Sequence, residues 1–409
     1  MNNFVVGLDI GSQTIKAAIA EIKKDGKLKL VKVIKTPSGG IRRGAVDDAA
    51  EATRSLNYVI GEIKKISKSA VKNIYVGVGT HDIKVQNSRG IVAVSRADYE
   101  IHQDDIDRVI EASQAVNLPL NRLILHAITQ EYVVDGVGDI RDPLGMVGNR
   151  LEVNSLIIDA FAPAVKNLTR CLEVVGGEIS GIAFSPIAAV RSVLTKSQKE
   201  LGAVLIDIGF GKTGMSVYEE NKLIHSAVFP IGSGNVTNDL AIGMKTGIAT
   251  AEMIKFSFGT ALAKEVPPRE MVDLRKIDPA ARGFVARRFI AEIIEVRLAE
   301  ILEFVDNELK RLNKSRKLPA GAVLVGGGAK IPALTELAKQ ELHLSAQIGL
   351  SDISSLDLAS GDLRSQIEDP EYAIAIGLIM IAGDQLREKN PMAAKKGGWF
   401  KKLMKYFIP

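Results

Sequence analysis

A duplicated α/β fold, two sheet-and-helix halves facing each other across a cleft, is predicted by three observations. Ala203 to Tyr218 (AVLIDIGFGKTGMSVY) is an apolar run ending on Asp207, then a turn holding Gly209 and Gly211, then a strand running back. Phe4 to Ala20 repeats the pattern: Phe4 to Leu8 lead into Asp9, Ile10 and Gly11, and Ser12, Gln13 and Thr14 precede an Ile15 to Ala20 strand. A shift of 198 residues lays Leu8, Asp9, Ile10 and Gly11 on Ile206, Asp207, Ile208 and Gly209. Two such turns face to face point backbone N–H groups at phosphates from both sides, and hold the carboxylates of Asp9 and Asp207 near a hydrated Mg²⁺.

Gly211, Lys212 and Thr213 also spell the end of a P-loop. That motif needs a glycine five positions earlier and a helix afterwards, whereas Ile206 stands there and Met215 to Tyr218 reads as strand. Both features argue against a P-loop.

Taken in order, Lys27 to Ile34 is a third strand of the first sheet, and Gly39 to Gly44 a turn. Asp47 to Ser67 is a helix, because Ala52, Leu56, Val59, Ile60, Ile63 and Ile66 recur near 3.6 spacing. Ile74 to Gly79 returns as a strand. From His81 the pattern changes to β-like His81 to Val94, helical Gln103 to Ala115 and β-like Leu123 to Tyr132. A Gly-, Pro- and Asp-rich loop, Gly136 to Gly148, and a strand, Leu151 to Ala162, follow. Asp82 to Asp159 reads as a small αβ module inserted in the first half, or as a continuous part of it.

Ala164 to Val175 and Ser185 to Leu194 are helices, the second opened by Pro186. A glycine turn at Gly232 to Gly234 caps a helix from Val236 to Ile242. Thr250 to Phe258 follows, and Phe284 to Leu312 is long and amphipathic. Ala322 to Val325 is a strand entering Gly326, Gly327 and Gly328, a third turn that lets backbone approach a flat ligand such as adenosine. In Tyr372 to Ala382, Ala373, Ala375 and Gly377 permit close approach to a partner helix.

Composition excludes several classes. Apolar residues make up 46% of 409, so the chain folds throughout and has core for two or more domains. The single Cys171 excludes an internal disulfide and suits a reducing cytoplasm, and five dispersed histidines offer no zinc spacing. No signal-peptide pattern is read at the N-terminus, and Ala373 to Ala382 is far short of a bilayer span. The net charge of +5 is local: from Arg387 onward seven cations oppose one anion, which leaves the preceding residues at −1. That distribution argues against a nucleic-acid-binding face.

The basic segment has its own pattern. Gly397 and Gly398 precede WFKKLMKYFIP, and on a helical projection Lys401, Lys402 and Lys405 fall within an arc of about 100°, while Trp399, Phe400, Leu403, Met404, Tyr406, Phe407 and Ile408 fill the rest. Such a peptide suits an anionic bilayer interface; a helix docked on the body is the other reading.

Several stretches carry a family resemblance: GIRRG (Gly40 to Gly44), QNSRG (Gln86 to Gly90), IRDPLGMVGNRLEV (Ile140 to Val153), IGSGNVTNDLAIGMKT (Ile231 to Thr246), AEMIK (Ala251 to Lys255) and the VGGG turn. With the order of the three glycine turns, the chain resembles the actin-like ATPases and, among them, the FtsA family of bacterial division proteins. The resemblance implies an actin-like, ribonuclease H-like duplicated fold around a nucleotide cleft. Residues 1–81, completed by 160–198 and 371–386, are then one half, and 82–159 the inserted subdomain. Residues 199–232 with 318–370 are the other half, 233–317 a nucleotide-capping subdomain, 387–398 a linker and 399–409 a membrane-targeting helix.

Carried over by position, the resemblance puts Gly11, Ser12 and Gln13 at the phosphates of ATP from one side, and Gly209, Gly211 and Thr213 from the other, with Gly234 nearby. Glu252 and Lys255 lie beside ribose and base, Gly327 and Gly328 behind the adenosine. It implies a polymerising protein that tethers FtsZ to the cytoplasmic membrane at the division site, with FtsZ, other divisome proteins, further copies of itself and anionic lipid as partners. A PilM-like adaptor and an actin-fold sugar kinase are the rivals. The second turn departs from the family's DIGGGTTD: Phe210 replaces a glycine, which makes a positive φ costly, Gly214 replaces an acid, and Lys212 replaces a hydroxyl residue and adds a point charge toward phosphate. Nucleotide binding with slow or absent hydrolysis is the expectation, with Asp9 and Asp207 as the candidate catalytic carboxylates.

Overall fold

The computed structural model describes residues 4–279 and 283–389. The first sheet has the order Ile179–Phe184, Ile74–Val78, Phe4–Ile10, Thr14–Ile22, Leu28–Pro37, Leu356–Leu358. Phe4–Ile10 lies between an antiparallel partner, Thr14–Ile22, and a parallel one, Ile74–Val78. All but its first residue are buried, as the unbroken apolar run requires of a strand covered on both faces.

The second sheet repeats this plan: Lys222–Phe229, Thr213–Glu219, Ala203–Ile208, Ala322–Val325, Ala346–Ile348. Ala203–Ile208 is antiparallel to Thr213–Glu219 and parallel to Ala322–Val325. Ile10 pairs with Ile15 and Ile208 with Thr213, so residues 11–14 and 209–212 are equivalent turns. Each is closed by the same bond: Gly11 N–H donates to the Thr14 carbonyl at 3.1 Å and Gly209 N–H to the Lys212 carbonyl at 3.0 Å.

The halves meet on apolar side chains, among them Val5, Leu30, Leu205, Val323 and Leu378. Helices Ser185–Val193 and Ala373–Lys389 run through this seam. A β-carbon on Gly377 would stand 1.7 Å from the Ala188 carbonyl oxygen, so only glycine lets the two backbones touch. Ser192 Oγ donates to the Ala373 carbonyl at 2.6 Å and Arg191 pairs with Asp384 at 2.6 Å, which fixes their rotation.

An inserted αβ module leaves the first half after Ile74–Val78. Its sheet has the order Lys84–Ala93, Arg150–Phe161, Arg122–Val134, Val137–Ile140, and Gln103–Gln114 covers one face through Ile106, Val109 and Ile110. The stretch Gly136 to Gly148, expected as loop, contains the strand Val137–Ile140, paired with Tyr132 and Val134. Asp135 and Gly136 both take positive φ, 48° and 90°, as a tight Asp-Gly hairpin turn demands. Where the module joins the body, Phe184 N–H donates to His126 Nε2 at 2.8 Å, and burial pulls this histidine down to about 3, so it stays neutral.

A helical layer, Ser233–Met244, Ile248–Phe258 and Arg287–Arg311, covers the second sheet through Val236, Leu240, Ile254, Ile294 and Leu298. The long helix begins three residues later than its amphipathic pattern, because Phe284–Ala286 pairs as a strand with Met271–Asp273. Among the described residues no helix is long and apolar enough to cross a membrane.

Candidate functional site

A cavity of about 480 Å³ lies between the halves, within the range of small-ligand clefts. Gly11, Ser12 and Gln13 form one wall and Gly209, Gly211 and Lys212 the opposite one, with Asp9 and Asp207 at the strand ends. The turns nearly touch, since a β-carbon on Gly211 would stand 2.9 Å from Ser12 Oγ. Among the described residues, the N–H groups of Ser12, Gln13, Phe210 and Gly211 donate no protein hydrogen bond, which leaves them to phosphate oxygens.

Two contacts bridge the cleft. Gln13 Nε2 donates to Glu252 Oε1 at 2.7 Å, and Lys212 Nζ donates to the Gly79 carbonyl. Glu252 is itself braced by Thr237 Oγ1 and, at 2.7 Å, by Lys255 Nζ. The third turn closes the far side: Gly326 has φ 86°, and a β-carbon there would lie 2.3 Å from Asp207 Oδ1.

Glu252 and Gly327 line the cavity with the turn residues, but four expected residues do not. Lys255 is fully buried behind Glu252, where it also donates to Thr237 Oγ1 at 2.9 Å and the Ser233 carbonyl at 3.2 Å. Its ammonium anchors Glu252. Thr213 gives its hydroxyl to the Ile231 carbonyl at 2.8 Å. Gly234 gives its N–H to the Phe210 carbonyl at 2.7 Å, so it has none left for phosphate. Gly328 is packed on Ile208, 2.4 Å from its would-be β-carbon. Phe210 avoids positive φ, so the expected strain does not arise; its ring packs on Gly234 and, 5.7 Å from Lys255 Nζ, covers that buried cation. Trp399, Phe400, Lys401, Lys402, Leu403, Met404, Lys405, Phe407 and Ile408 lie outside the described residues.

The sequence reading missed a ring of charge. Lys16, Lys35, Lys330 and Glu371 also line the cavity. Lys16 Nζ lies 3.2 Å from Asp9, and Glu371 pairs with Lys35 at 2.6 Å and Lys330 at 3.0 Å. Burial opposes the charge on Lys16, but Asp9 and Glu371 outweigh it and raise its pKa. Burial likewise opposes the charge of Glu371, yet hydrogen bonds from the two lysines hold it below the usual carboxylate range. A lysine inside the otherwise apolar run Ile15–Ala20 was the one signal in the chain.

A Mg²⁺ between Asp9 and Asp207 does not fit the charges present. Lys16 already occupies Asp9, and burial, followed by the charge of Asp9, pushes Asp207 up to about 6. Lys212 adds a second ammonium to the same cavity, pulled below its usual range by burial and supported by both aspartates.

Duplicated α/β halves with facing glycine turns across a cleft define an actin-like protein. Among solved structures, the PilM–PilN type IV pilus biogenesis complex covers 93% of this chain and 98% of its own, with TM-score 0.65 at 16% identity. MreB5 of Spiroplasma citri bound to AMPPNP covers 96% and 99%, with TM-score 0.57 at 12% identity. These likenesses concern the fold. The family description "Cell division protein FtsA" matches residues 204–377, and "SHS2 domain inserted in FTSA" matches 80–159. Cell division protein FtsA of Pseudomonas aeruginosa is 34% identical over 376 residues, 92% of this chain and 88% of that protein. FtsA of Bacillus subtilis is 34% identical over 381 residues, 93% and 84%. The chain belongs to the FtsA cell division protein family.

Proposed function

We propose that this chain is an ATP-binding, membrane-associated, polymerising protein that tethers the FtsZ division ring to the cytoplasmic face of the cell membrane. The observation that carries the nucleotide part is the pair of facing turns, whose unspent N–H groups from Ser12, Gln13, Phe210 and Gly211 converge on one cavity. The triphosphate lies between them, with Glu252 toward the ribose and Gly327 behind the adenosine. Turnover is slow or absent. The second turn has lost the acid that Gly214 replaces.

Family membership supports the division-site role, and the basic aromatic segment from Trp399 to Ile408 supports a peripheral anchor in anionic lipid. At about 1 kcal/mol per lysine near the surface, one such segment binds marginally. Self-assembly into filaments multiplies it by avidity. Other divisome proteins are further partners, while a body charge of −1 gives nucleic acid no footing. The division into subdomains implied by the resemblance is part of this reading, with 399–409 as anchor and a linker before it whose expected start, Arg387, lies in the last turn of the helix Ala373–Lys389.

Negative-stain images on lipid monolayers with ATP and FtsZ test it. The full chain is expected to form filaments on lipid and to recruit FtsZ there. Deletion of residues 398–409 is expected to leave the melting temperature unchanged and abolish both effects. Unchanged sedimentation of the truncated chain with anionic liposomes would refute the anchor.

A further inference from the structure

Lys212 stands in the second turn at the place that Thr14 holds in the first. Its ammonium is turned into the interface between the halves, where it donates to the Gly79 carbonyl and lies 3.0 Å from a would-be β-carbon on Gly44. It shares one cavity with Asp9, Lys16 and Asp207, and Lys16 is already 3.2 Å from Asp9. Two carboxylates are thus met by two ammonium groups before any ligand enters.

A divalent cation is poorly suited to this spot. Mg²⁺ demands a near-octahedral oxygen shell and keeps most of its waters. Here an ammonium holds one carboxylate and a second repels any added cation. A lysine, by contrast, binds phosphate as a flexible point charge that needs no fixed geometry. Lys212 donates to the Gly79 carbonyl, a neutral acceptor, and exchange for an anionic phosphate oxygen gives a stronger bond.

We infer that Lys212, with Lys16, takes over the charge-balancing part of a divalent cation, so that this cleft binds a nucleoside di- or triphosphate without Mg²⁺. The inference rests on the nucleotide reading above. It makes Lys212 the residue that sets metal dependence, and it assigns the departure from the family's second turn a purpose at the ligand.

The full chain, stripped of nucleotide, is titrated with a fluorescent ATP analogue in EDTA and in excess Mg²⁺, with melting temperature as a second readout. The two dissociation constants are expected to agree within about threefold. ATP is expected to raise the melting temperature in both buffers. Lys212→Thr is expected to weaken binding by about tenfold or more in EDTA and to regain most of it in Mg²⁺. Lys212→Gln, which keeps a donor for Gly79, replaces it if the threonine variant does not fold. Weakening of the unaltered chain by about tenfold or more in EDTA overturns the inference, as do Lys212 variants that bind in EDTA as tightly as the parent. Binding in Mg²⁺ alone removes this inference and leaves the nucleotide reading; binding in neither buffer removes both.

Discussion

The two glycine turns have the same backbone and opposite electrostatics. Residues 11–14 and 209–212 close with matching hydrogen bonds at equivalent registers, and each follows a buried aspartate. In the first hairpin the neutralising lysine stands on the return strand, where Lys16 pairs across from Asp9. In the second, that register position is Gly214, opposite Asp207, and the lysine has moved into the turn as Lys212. Backbone geometry was retained in both copies, then, while the source of positive charge moved. Asp9 is in direct contact with its cation; burial, followed by the charge of Asp9, raises Asp207 to about 6.

The largest expected effect comes from the backbone behind Asp207. Gly326→Ala puts a β-carbon 2.3 Å from Asp207 Oδ1 at φ 86°, and is expected to cost about 2–4 kcal/mol in urea denaturation. On the first half, Gly77 beside Asp9 has only side-chain atoms, at 3.1 Å, near its would-be β-carbon. Gly77→Ala is expected to cost about 1 kcal/mol or less, because those side chains can yield. Equal costs would mean that the two halves support their aspartates alike.

Next, equivalent aspartates are expected to give opposite signs. Asp9→Asn leaves Lys16 buried without its carboxylate and is expected to destabilise the nucleotide-free chain by about 3 kcal/mol. Asp207→Asn removes a charge that burial opposes, and is expected to stabilise it by about 1–2 kcal/mol at neutral pH. The pH dependence fixes the sign. Asp207 has a folded pKa above its unfolded one, so its contribution is intact below about 4 and is lost as pH rises through about 6. The gain from Asp207→Asn is therefore expected to be absent at acid pH, to open between pH 4 and 6 and to be constant above. A loss of stability at pH 7 would contradict the picture of Asp207 as the strained member.

The smallest effect belongs to the bridge across the cleft. Gln13→Ala removes the exposed 2.7 Å bond to Glu252 and is expected to cost about 0.5–1 kcal/mol in melting experiments. Faster nucleotide association in a stopped-flow measurement is expected alongside, because the bridge across the cleft is gone.

The fold was legible wherever its signals are local. The duplicated hairpins, the helix of residues 49–66 and the small-residue seam at Gly377 all follow from apolar period or glycine placement. Edge strands were less visible: Ala346–Ile348 and Leu356–Leu358 are three residues each and exist by pairing with distant partners. At the site, motif residues were found but their availability was not. Thr213, Gly234 and Lys255 carry the expected chemistry, yet each spends it on a neighbouring carbonyl or on Glu252. Glu371 and Lys330, far from the first turn in sequence, reach the cavity only because the Ala373–Lys389 helix and the third turn fold back on it. No spacing rule brings them to Lys16 and Lys35.

The helix Ala373–Lys389 has Ala373 and Ile374 in the cavity wall and its other end where the basic segment begins. At 1.5 Å per residue its 17 residues make a rod of about 25 Å. Gly377 presses that rod directly on the backbone of Ala188, and Asp384 ties it again to Arg191. A tilt of the rod on nucleotide binding is expected to re-aim the basic segment proposed as the anchor. Spin labels near each end, with and without ATP, measure the swing; no change in their distances to a label on the second sheet would show that the rod stays still.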